Sequence, residues 1–126
     1  METSFPSDEI IQGYVNAFQS LDGSRVASFY SVPCLSVRGD GSVHVFSERP
    51  EIDVFFAEVL EEYSREGMVS FTAADVVIVA VGGNSYRLEC TWFMKRSDGS
   101  VIKNWEQTYI FLRTELEWKI AVSIIH

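Results

Sequence analysis

The side chains best suited to holding a small molecule alternate along two stretches of the chain, residues 86–94 and 105–111. A β-strand points successive side chains to opposite faces, so this period-two spacing places them together on one face of a sheet. That face is large, aromatic and sulfur-bearing, and it carries one amide, that of Gln107. Its members are Tyr86, Leu88, Cys90, Trp92, Met94, Trp105, Gln107, Tyr109 and Phe111. Such a face predicts the wall of an apolar cavity with one polar group that orients a ligand.

Groups able to move a proton are few in the long strands. Of their acidic residues Asp75, Glu89 and Glu106, the alternation places Glu89 and Glu106 on the face opposite the aromatic one. Asp75 is therefore the acidic candidate for proton transfer, with the phenols of Tyr14 and Tyr109 as further donors or acceptors. An exposed carboxylate at the start or edge of a strand is the alternative interpretation of Asp75. The sequence leaves open whether the protein is an enzyme.

The histidines and cysteines do not form a recognisable catalytic or metal-binding pattern. His44 and His126 are the only histidines and lie far apart in the sequence, whereas a nucleophilic triad or a zinc site needs such groups close together. We therefore predict neither a metal nor a cofactor. Cys34 and Cys90 stand in apolar strand sequence without a CxxC pattern, which predicts buried, reduced thiols.

Composition predicts one globular domain over residues 1–126, with 47% apolar and 22% charged residues. The net charge of -8 opposes binding to a nucleic-acid backbone or to anionic lipid, so we expect neither partner. No apolar run approaches the roughly 18 residues of a membrane span. The start METSFPSDEII lacks the features of a signal peptide, and we expect a cytoplasmic protein.

Two helices are predicted before the first strand. Apolar residues at i, i+3 and i+4 spacing, Tyr14 among them, predict an amphipathic helix from an N-cap at Ser7 to about residue 20. Ser24 is expected to cap a shorter helix over residues 25–30, whose apolar side includes Tyr30.

A third helix and six strands complete the prediction. Ser47 is expected to cap the helix, which carries Phe55 on its apolar stripe and stops at Gly67. Asp98-Gly99 joins the two longest strands, because the turn needs a positive φ that glycine adopts without steric cost. The strands are expected at residues 34–37, 43–46, 68–81, on either side of 97–100 within 84–113, and at 118–125. This order predicts an α+β fold, in which a strongly curved sheet forms a cone closed by helices.

Three segments carry a resemblance to a known superfamily. They are YVNAFQSLDGSRVASFY in the first two helices, SERPEIDVFFAEVLEEY in the third, and DGSVIKNWEQTYIFLRTELEWKIAVSI at the end. Together they resemble the nuclear-transport-factor-2-like, or SnoaL-like, superfamily over nearly the whole chain. The resemblance implies a curved sheet around a cavity open at one end, often in a protein that dimerises through the outer sheet face. Its members include isomerases, cyclases, dehydratases and assembly hubs, so the fold assigns no activity.

The steroid-isomerase-like branch of that superfamily is the sharpest enzymatic comparison. It implies a carboxylate base, a tyrosine and a protonated aspartate. Tyr14 stands where the branch carries its tyrosine. The base is expected near Val37, and the second acid near Gln107, but neither position is acidic. Two of the three roles therefore lack their residue.

Three classes of function remain open. The first is a protein that binds a small apolar or aromatic molecule through Tyr14, Phe18, Tyr30, Phe55, Cys90, Trp92, Met94, Trp105, Gln107 and Tyr109. The second is an isomerase, cyclase or dehydratase acting on a small hydrophobic substrate. The third is a dimeric interaction module without a ligand. The outer sheet face, with Thr91, Phe93, Thr108, Ile110 and Leu112, is more apolar than a free surface, which predicts a homodimer in all three cases.

Overall fold

The computed structural model describes residues 8–115 and 117–126. Three helices and six strands follow one another along these residues. Their order is α1 (Asp8–Gln19), α2 (Gly23–Ala27), β1 (Tyr30–Val37), β2 (Val43–Phe46), α3 (Arg49–Arg65), β3 (Ser70–Gly82), β4 (Ser85–Lys95), β5 (Val101–Thr114) and β6 (Glu117–Ile125). The predicted α+β class is confirmed.

The strands form one mixed, open sheet in the order β2-β1-β6-β5-β4-β3. Strand β1 runs parallel to β6, and every other neighbouring pair is antiparallel. The first strand thus pairs with the last, which places β1 and β6 side by side within the sheet. The helices cover the inner face of this curved sheet, where the hydrophobic core lies.

The hairpin of β4 and β5 forms as predicted. Burial alternates along all of β4, and the register sets Cys90 opposite Gln107 and Trp92 opposite Trp105. Gly99 adopts a φ of 87° in the turn, as the sequence required. The Asp98 carboxylate accepts hydrogen bonds from the Ser100 N–H at 2.9 Å and the Ser100 hydroxyl at 2.7 Å, which fixes the turn.

Helix α2 differs from its prediction at both ends. Asp22 rather than Ser24 is its N-cap, because the carboxylate accepts from the backbone N–H groups of Ser24 at 3.0 Å and Arg25 at 3.4 Å. The helix ends at Ala27, so the prediction that Tyr30 is helical is wrong. Tyr30 opens β1 and pairs with Ile120 of β6. That long-range strand pairing overrides the local helical pattern.

Helix α3 begins one residue later than predicted. Its N-cap is Glu48 rather than Ser47, and the Glu51 carboxylate accepts from both of their backbone N–H groups, at 3.0 Å and 2.7 Å. Gly67 ends the helix with a φ of 95°, as predicted. The predicted N-cap of α1, Ser7, lies outside the described residues.

Strand β3 contains a β-bulge at Asp75. Between Ala74 and Val77, β3 has one residue more than the part of β4 that lies opposite. Asp75 lies in this bulge and adopts a φ of 55°. Its side chain is exposed at the edge of the sheet. None of the helices in the described part of the chain is long and apolar enough to cross a membrane.

Candidate functional site

A cavity of about 90 Å³ lies between the inner face of the sheet and helices α1 and α3. Buried side chains form its floor and half-exposed ones its rim, so it opens to solvent at one end. The floor consists of Tyr14, Val15, Tyr30, Cys34, Phe46, Ile52, Phe56, Phe71, Trp92, Gln107, Tyr109 and Ser123, and the rim and walls add Phe18, Leu35, Ser36, Arg38, Phe55, Val59, Tyr63, Trp105 and Ile125.

Eight of the ten residues predicted to bind a ligand line this cavity. They are Tyr14, Phe18, Tyr30, Phe55, Trp92, Trp105, Gln107 and Tyr109. Cys90 and Met94 do not: Met94 has no exposed surface and packs into the core, and Cys90 lines a smaller cavity of about 20 Å³ below α1. Asp75 lies outside both cavities. That the eight residues bind a ligand stays a prediction.

The cavity is small because aromatic rings fill most of the cone. Phe18 packs edge-on against Tyr14 and Phe71 with centroid distances of 5.0 Å and 5.4 Å. Phe71 in turn packs edge-on against Trp92 and Trp105 at 6.0 Å and 6.1 Å. These edge-to-face contacts are the favourable arrangement for aromatic pairs. The remaining space is therefore a narrow gap beside the polar ends of the rings.

The polar ends of these side chains meet in three buried pairs. The Tyr14 and Tyr30 hydroxyls lie 2.6 Å apart, and the Trp92 indole donates to the Tyr109 hydroxyl at 2.9 Å. The Gln107 amide nitrogen donates to the Ser123 hydroxyl at 2.6 Å. All of these residues except Ser123 were among the predicted site residues.

Weaker interactions join the pairs into a chain of groups along the cavity floor. Tyr109 acts on the pKa of Tyr14, and Ser123 acts on the pKa of Tyr30, so both members of each contact lie close together. We call this series of six groups the hydroxyl chain; in order it is Trp92, Tyr109, Tyr14, Tyr30, Ser123 and Gln107.

The hydroxyl chain ends in a donor on both sides. The Trp92 N–H, one of the two Gln107 N–H groups and four hydroxyls give six donor protons for five contacts, even when the two weaker contacts are counted as hydrogen bonds. No carboxylate or carbonyl of the described residues ends it. One hydroxyl proton is thus left over, and all four hydroxyls line the cavity. A buried donor without an acceptor is rare in proteins, whereas an unused lone pair is common.

The orientation of the Gln107 amide follows from its two neighbours. The Trp105 indole can only donate, and it lies 2.8 Å from Gln107 Oε1. The amide nitrogen must then face Ser123, where it donates one of its two protons. Gln107 therefore accepts at the rim of the cavity and donates at its floor.

Burial keeps the phenols of the hydroxyl chain protonated. Desolvation is the main cause that raises the pKa of Tyr14, Tyr30 and Tyr109 above the usual value of 10.0. Burial also raises the pKa of Tyr63 to about 12. At neutral pH these groups are hydrogen-bond donors or weak acids and do not act as bases.

The cavity holds no acidic residue among the described residues that line it. Ser36 and Arg38, which flank the position where the resemblance implied a base, line its wall, and Gln107, near which it implied the second acid, lines its floor. A group of three or more His, Cys, Asp or Glu side chains able to hold a metal is likewise absent from residues 8–115 and 117–126.

Ser123 is the polar floor residue that the sequence analysis missed. The face of β6 on which Ser123 lies depends on a β-bulge. Phe111 pairs with Ile120, but the preceding Ile110 pairs with Val122, so Ala121 is the extra residue. The bulge turns Ser123 towards the cavity although strict alternation from Ile120 points it outwards. No local feature of the sequence marks that bulge.

A second polar cluster lies on the outer face of the sheet. His126 Nε2 is 2.6 Å from the Thr108 hydroxyl, and His126 Nδ1 is 3.3 Å from the Glu106 carboxylate. His126 covers Thr108, which explains why this outer-face residue is buried. The outer-face position predicted for Glu106 and Thr108 is consistent with this contact.

Comparison with known proteins identifies the family. The family described as NTF2-like protein (DUF6841) matches residues 4–126, and the chain belongs to this NTF2-like family. A search of curated protein sequences returned no match.

Solved structures with the same fold are distant in sequence. An NTF-2 like protein of unknown function from Shewanella oneidensis MR-1 is 16% identical, with a TM-score of 0.73 over 96% of this chain and 98% of its own. A protein of unknown function with a cystatin-like fold from Nostoc punctiforme is 11% identical, with a TM-score of 0.77 over 99% and 93%. The yeast UBP3-associated protein BRE5 is 19% identical, with a TM-score of 0.74 over 94% and 91%. At these identities the likeness shows the fold alone.

Proposed function

We propose that this protein binds a small, largely apolar molecule that presents one hydrogen-bond acceptor to the hydroxyl chain. The observation that carries the proposal is that four hydroxyls, with a donor at each end of their chain, line an otherwise aromatic cavity. The donor count leaves one of their protons without a partner in the hydroxyl chain. A ligand with a carbonyl oxygen gives that proton an acceptor while its apolar part contacts the rings.

The volume of the cavity limits the ligand. Typical sites for drug-sized ligands occupy about 300 Å³ or more, and the cavity has about 90 Å³. One water molecule takes about 30 Å³ of liquid volume, so the buried part of the ligand has about three or four non-hydrogen atoms. The end of a methyl ketone has this size, and the remainder of a longer ligand would extend through the open rim.

Binding accounts for these residues better than proton transfer does. The phenols supply donors that would polarise a carbonyl, as an enzyme of the isomerase type requires. Such an enzyme also needs a base, and the described cavity lining contains only neutral groups and Arg38. An enzymatic reaction on a small hydrophobic substrate is therefore the secondary proposal.

A matched pair of ligands tests the proposal. 2-Butanone and 2-methyl-1-butene have the same shape and differ in an oxygen that accepts a hydrogen bond. We expect 2-butanone to bind with a Kd on the order of 1 mM and the alkene to bind about three- to tenfold more weakly, because one hydrogen bond contributes about 1 kcal/mol.

Nuclear magnetic resonance of the indole N–H groups reports where the ligand binds. The signals of Trp92 and Trp105 should shift with saturation, since both residues line the cavity. Trp118 lines neither cavity and serves as the internal control. Equal affinity for the ketone and the alkene would contradict the acceptor requirement, and the absence of any saturable shift would contradict binding in this cavity.

We also propose that the protein forms a homodimer, and this separate proposal concerns the outer sheet face. The register aligns Val77 with Glu89, Thr108 and Ile124 in one row, and Val79 with Arg87, Ile110 and Val122 in the next. Val77 is 47% exposed and Val79 is 37% exposed, which favours coverage by a partner surface. Light scattering after size-exclusion chromatography should give twice the monomer mass, and Ile110→Glu should give the monomer. A monomer at all concentrations would contradict this proposal.

A further inference from the structure

Arg38 has a fixed place at the mouth of the cavity. It follows β1, and its backbone is held by the turn to β2, where its N–H donates to the Ser42 carbonyl at 2.8 Å and its carbonyl accepts from Gly41 at 2.9 Å. Its side chain lines the cavity, yet the residue is exposed. The guanidinium therefore lies where the apolar floor gives way to solvent.

Arg38 is the one charged side chain among the described residues that line the cavity. Its charge acts on Tyr63, which lines the wall formed by α3 and whose pKa it lowers against the larger effect of burial. Glu62 and Glu66 act on the same phenol in the opposite sense. The charge at the mouth is thus mixed, and the effect of Arg38 has to be measured by changing that residue alone.

The guanidinium of Arg38 has no carboxylate within ion-pair distance among the residues that the structure describes. By contrast, Arg65 pairs with Glu61 at 3.5 Å and Lys103 pairs with Glu66 at 3.3 Å. The pKa of the nearby Asp40 carboxyl is lowered by the Ser42 N–H and hydroxyl, which donate to it at 2.9 Å and 2.7 Å, and to a lesser extent by the charge of Arg38. Arg38 therefore keeps its planar set of donors for a group that comes from solution.

We propose that the molecule bound in the cavity is an anion, in which a carboxylate contacts Arg38 and an apolar segment with an acceptor reaches the hydroxyl chain. This inference rests on the proposed function and specifies its ligand as a short oxo acid. The cavity admits about three or four non-hydrogen atoms, so the carboxylate of such an acid remains at the open mouth.

The test compares 4-oxopentanoate with its uncharged amide, 4-oxopentanamide, by isothermal titration calorimetry at low ionic strength. Both present the same methyl ketone to the hydroxyl chain and differ in charge at the other end. We expect the anion to bind about three- to fivefold more tightly than the amide, the range for an ion pair that stays partly exposed.

Two variants assign this difference to Arg38. Arg38→Gln should remove the preference for the anion, so that the two compounds bind to this variant with equal affinity. Arg25→Gln removes the same charge from an exposed position of α2 that lines neither cavity, and it should leave both affinities unchanged.

The outcomes separate this inference from the proposed function. Equal binding of the anion and the amide to the unaltered protein would overturn the inference and leave the proposed function in place. An equal loss in Arg38→Gln and Arg25→Gln would also overturn it, because the effect would then come from the overall charge. If neither compound binds, both the inference and the proposed function are wrong.

Discussion

Removal of one hydroxyl from the middle of the hydroxyl chain should destabilise the fold by a predictable amount. Tyr14→Phe keeps the ring, whose edge-on contacts with Phe18 and Tyr109 have centroid distances of 5.0 Å and 5.8 Å. The change deletes the hydroxyl that lies 2.6 Å from Tyr30. It divides the chain of groups in two, and each part then has an unused hydroxyl proton of its own.

The expected loss is about 1–2 kcal/mol in the free energy of unfolding. A buried hydrogen bond contributes about 0.5–1.5 kcal/mol, and a donor left unpaired costs about 1–3 kcal/mol. The lower part of the combined range applies because the new free donor faces a cavity that has room for water. Urea unfolding followed by circular dichroism gives this difference as a change in midpoint at constant slope.

Tyr63→Phe provides the matched control. The Tyr63 ring also packs against Phe18 and Phe71, but its hydroxyl has no hydrogen bond to the described residues. We expect this variant to lose less than about 0.5 kcal/mol. Equal stability of Tyr14→Phe and Tyr63→Phe would refute the account of the hydroxyl chain as a network of coupled hydrogen bonds.

Three further predictions concern pH, packing and thiol reactivity. The pKa values of the three buried tyrosines are raised above 10.0, the usual pKa of a tyrosine, so their contribution to stability is complete below pH 10 and is lost as the pH rises above it. Alkaline titration followed at 295 nm should therefore show tyrosine ionisation coupled to unfolding. Gly23→Ala should lower the free energy of unfolding by about 1–3 kcal/mol, because the added Cβ would lie 2.6 Å from the Ala57 backbone nitrogen. Gly83 has open space around it, so Gly83→Ala should change the urea midpoint little. Burial raises the pKa of Cys90 to about 12, so the Cys90 thiol should react with a disulfide reagent at pH 8 only after unfolding. Rapid reaction of Cys90 in the folded protein would contradict its placement.

The parts of the fold that depend on neighbouring residues were predictable. The β4–β5 hairpin follows from Asp98-Gly99 and from alternation on either side, and both are local signals. The inner faces of these strands, and hence Trp92, Gln107 and Tyr109 as cavity residues, follow from the same alternation. The α+β class followed from the order of such elements, and the family resemblance followed from three sequence segments.

The errors arise where distant segments decide the structure. Tyr30 belongs to the cavity as predicted, but it reaches it from a strand that pairs with Ile120 near the other end of the chain. Ser123 reaches the floor because of a bulge at Ala121 that only the pairing of β5 with β6 reveals. Local propensity cannot predict either feature, because the stabilising contacts are formed by residues far apart in the sequence.

The size of the cavity could not be predicted from the sequence either. Alternation places large aromatic side chains on one face, but it does not determine how their rings pack. In the structure they meet edge to face and fill most of the cone, which leaves about 90 Å³. The polar groups that line this cavity are a chain of hydroxyls in addition to the single amide, and their role in binding a ligand stays a prediction.

A crystal structure of the protein soaked with 2-butanone would show whether a ligand binds at the hydroxyl chain. We expect one molecule in the cavity, with its oxygen within hydrogen-bond distance of one hydroxyl of Tyr14, Tyr30, Tyr109 or Ser123 and its carbons against the aromatic rings. Water alone in the cavity at a saturating concentration of the ketone would refute this binding mode, as would a ketone whose oxygen points away from all four hydroxyls.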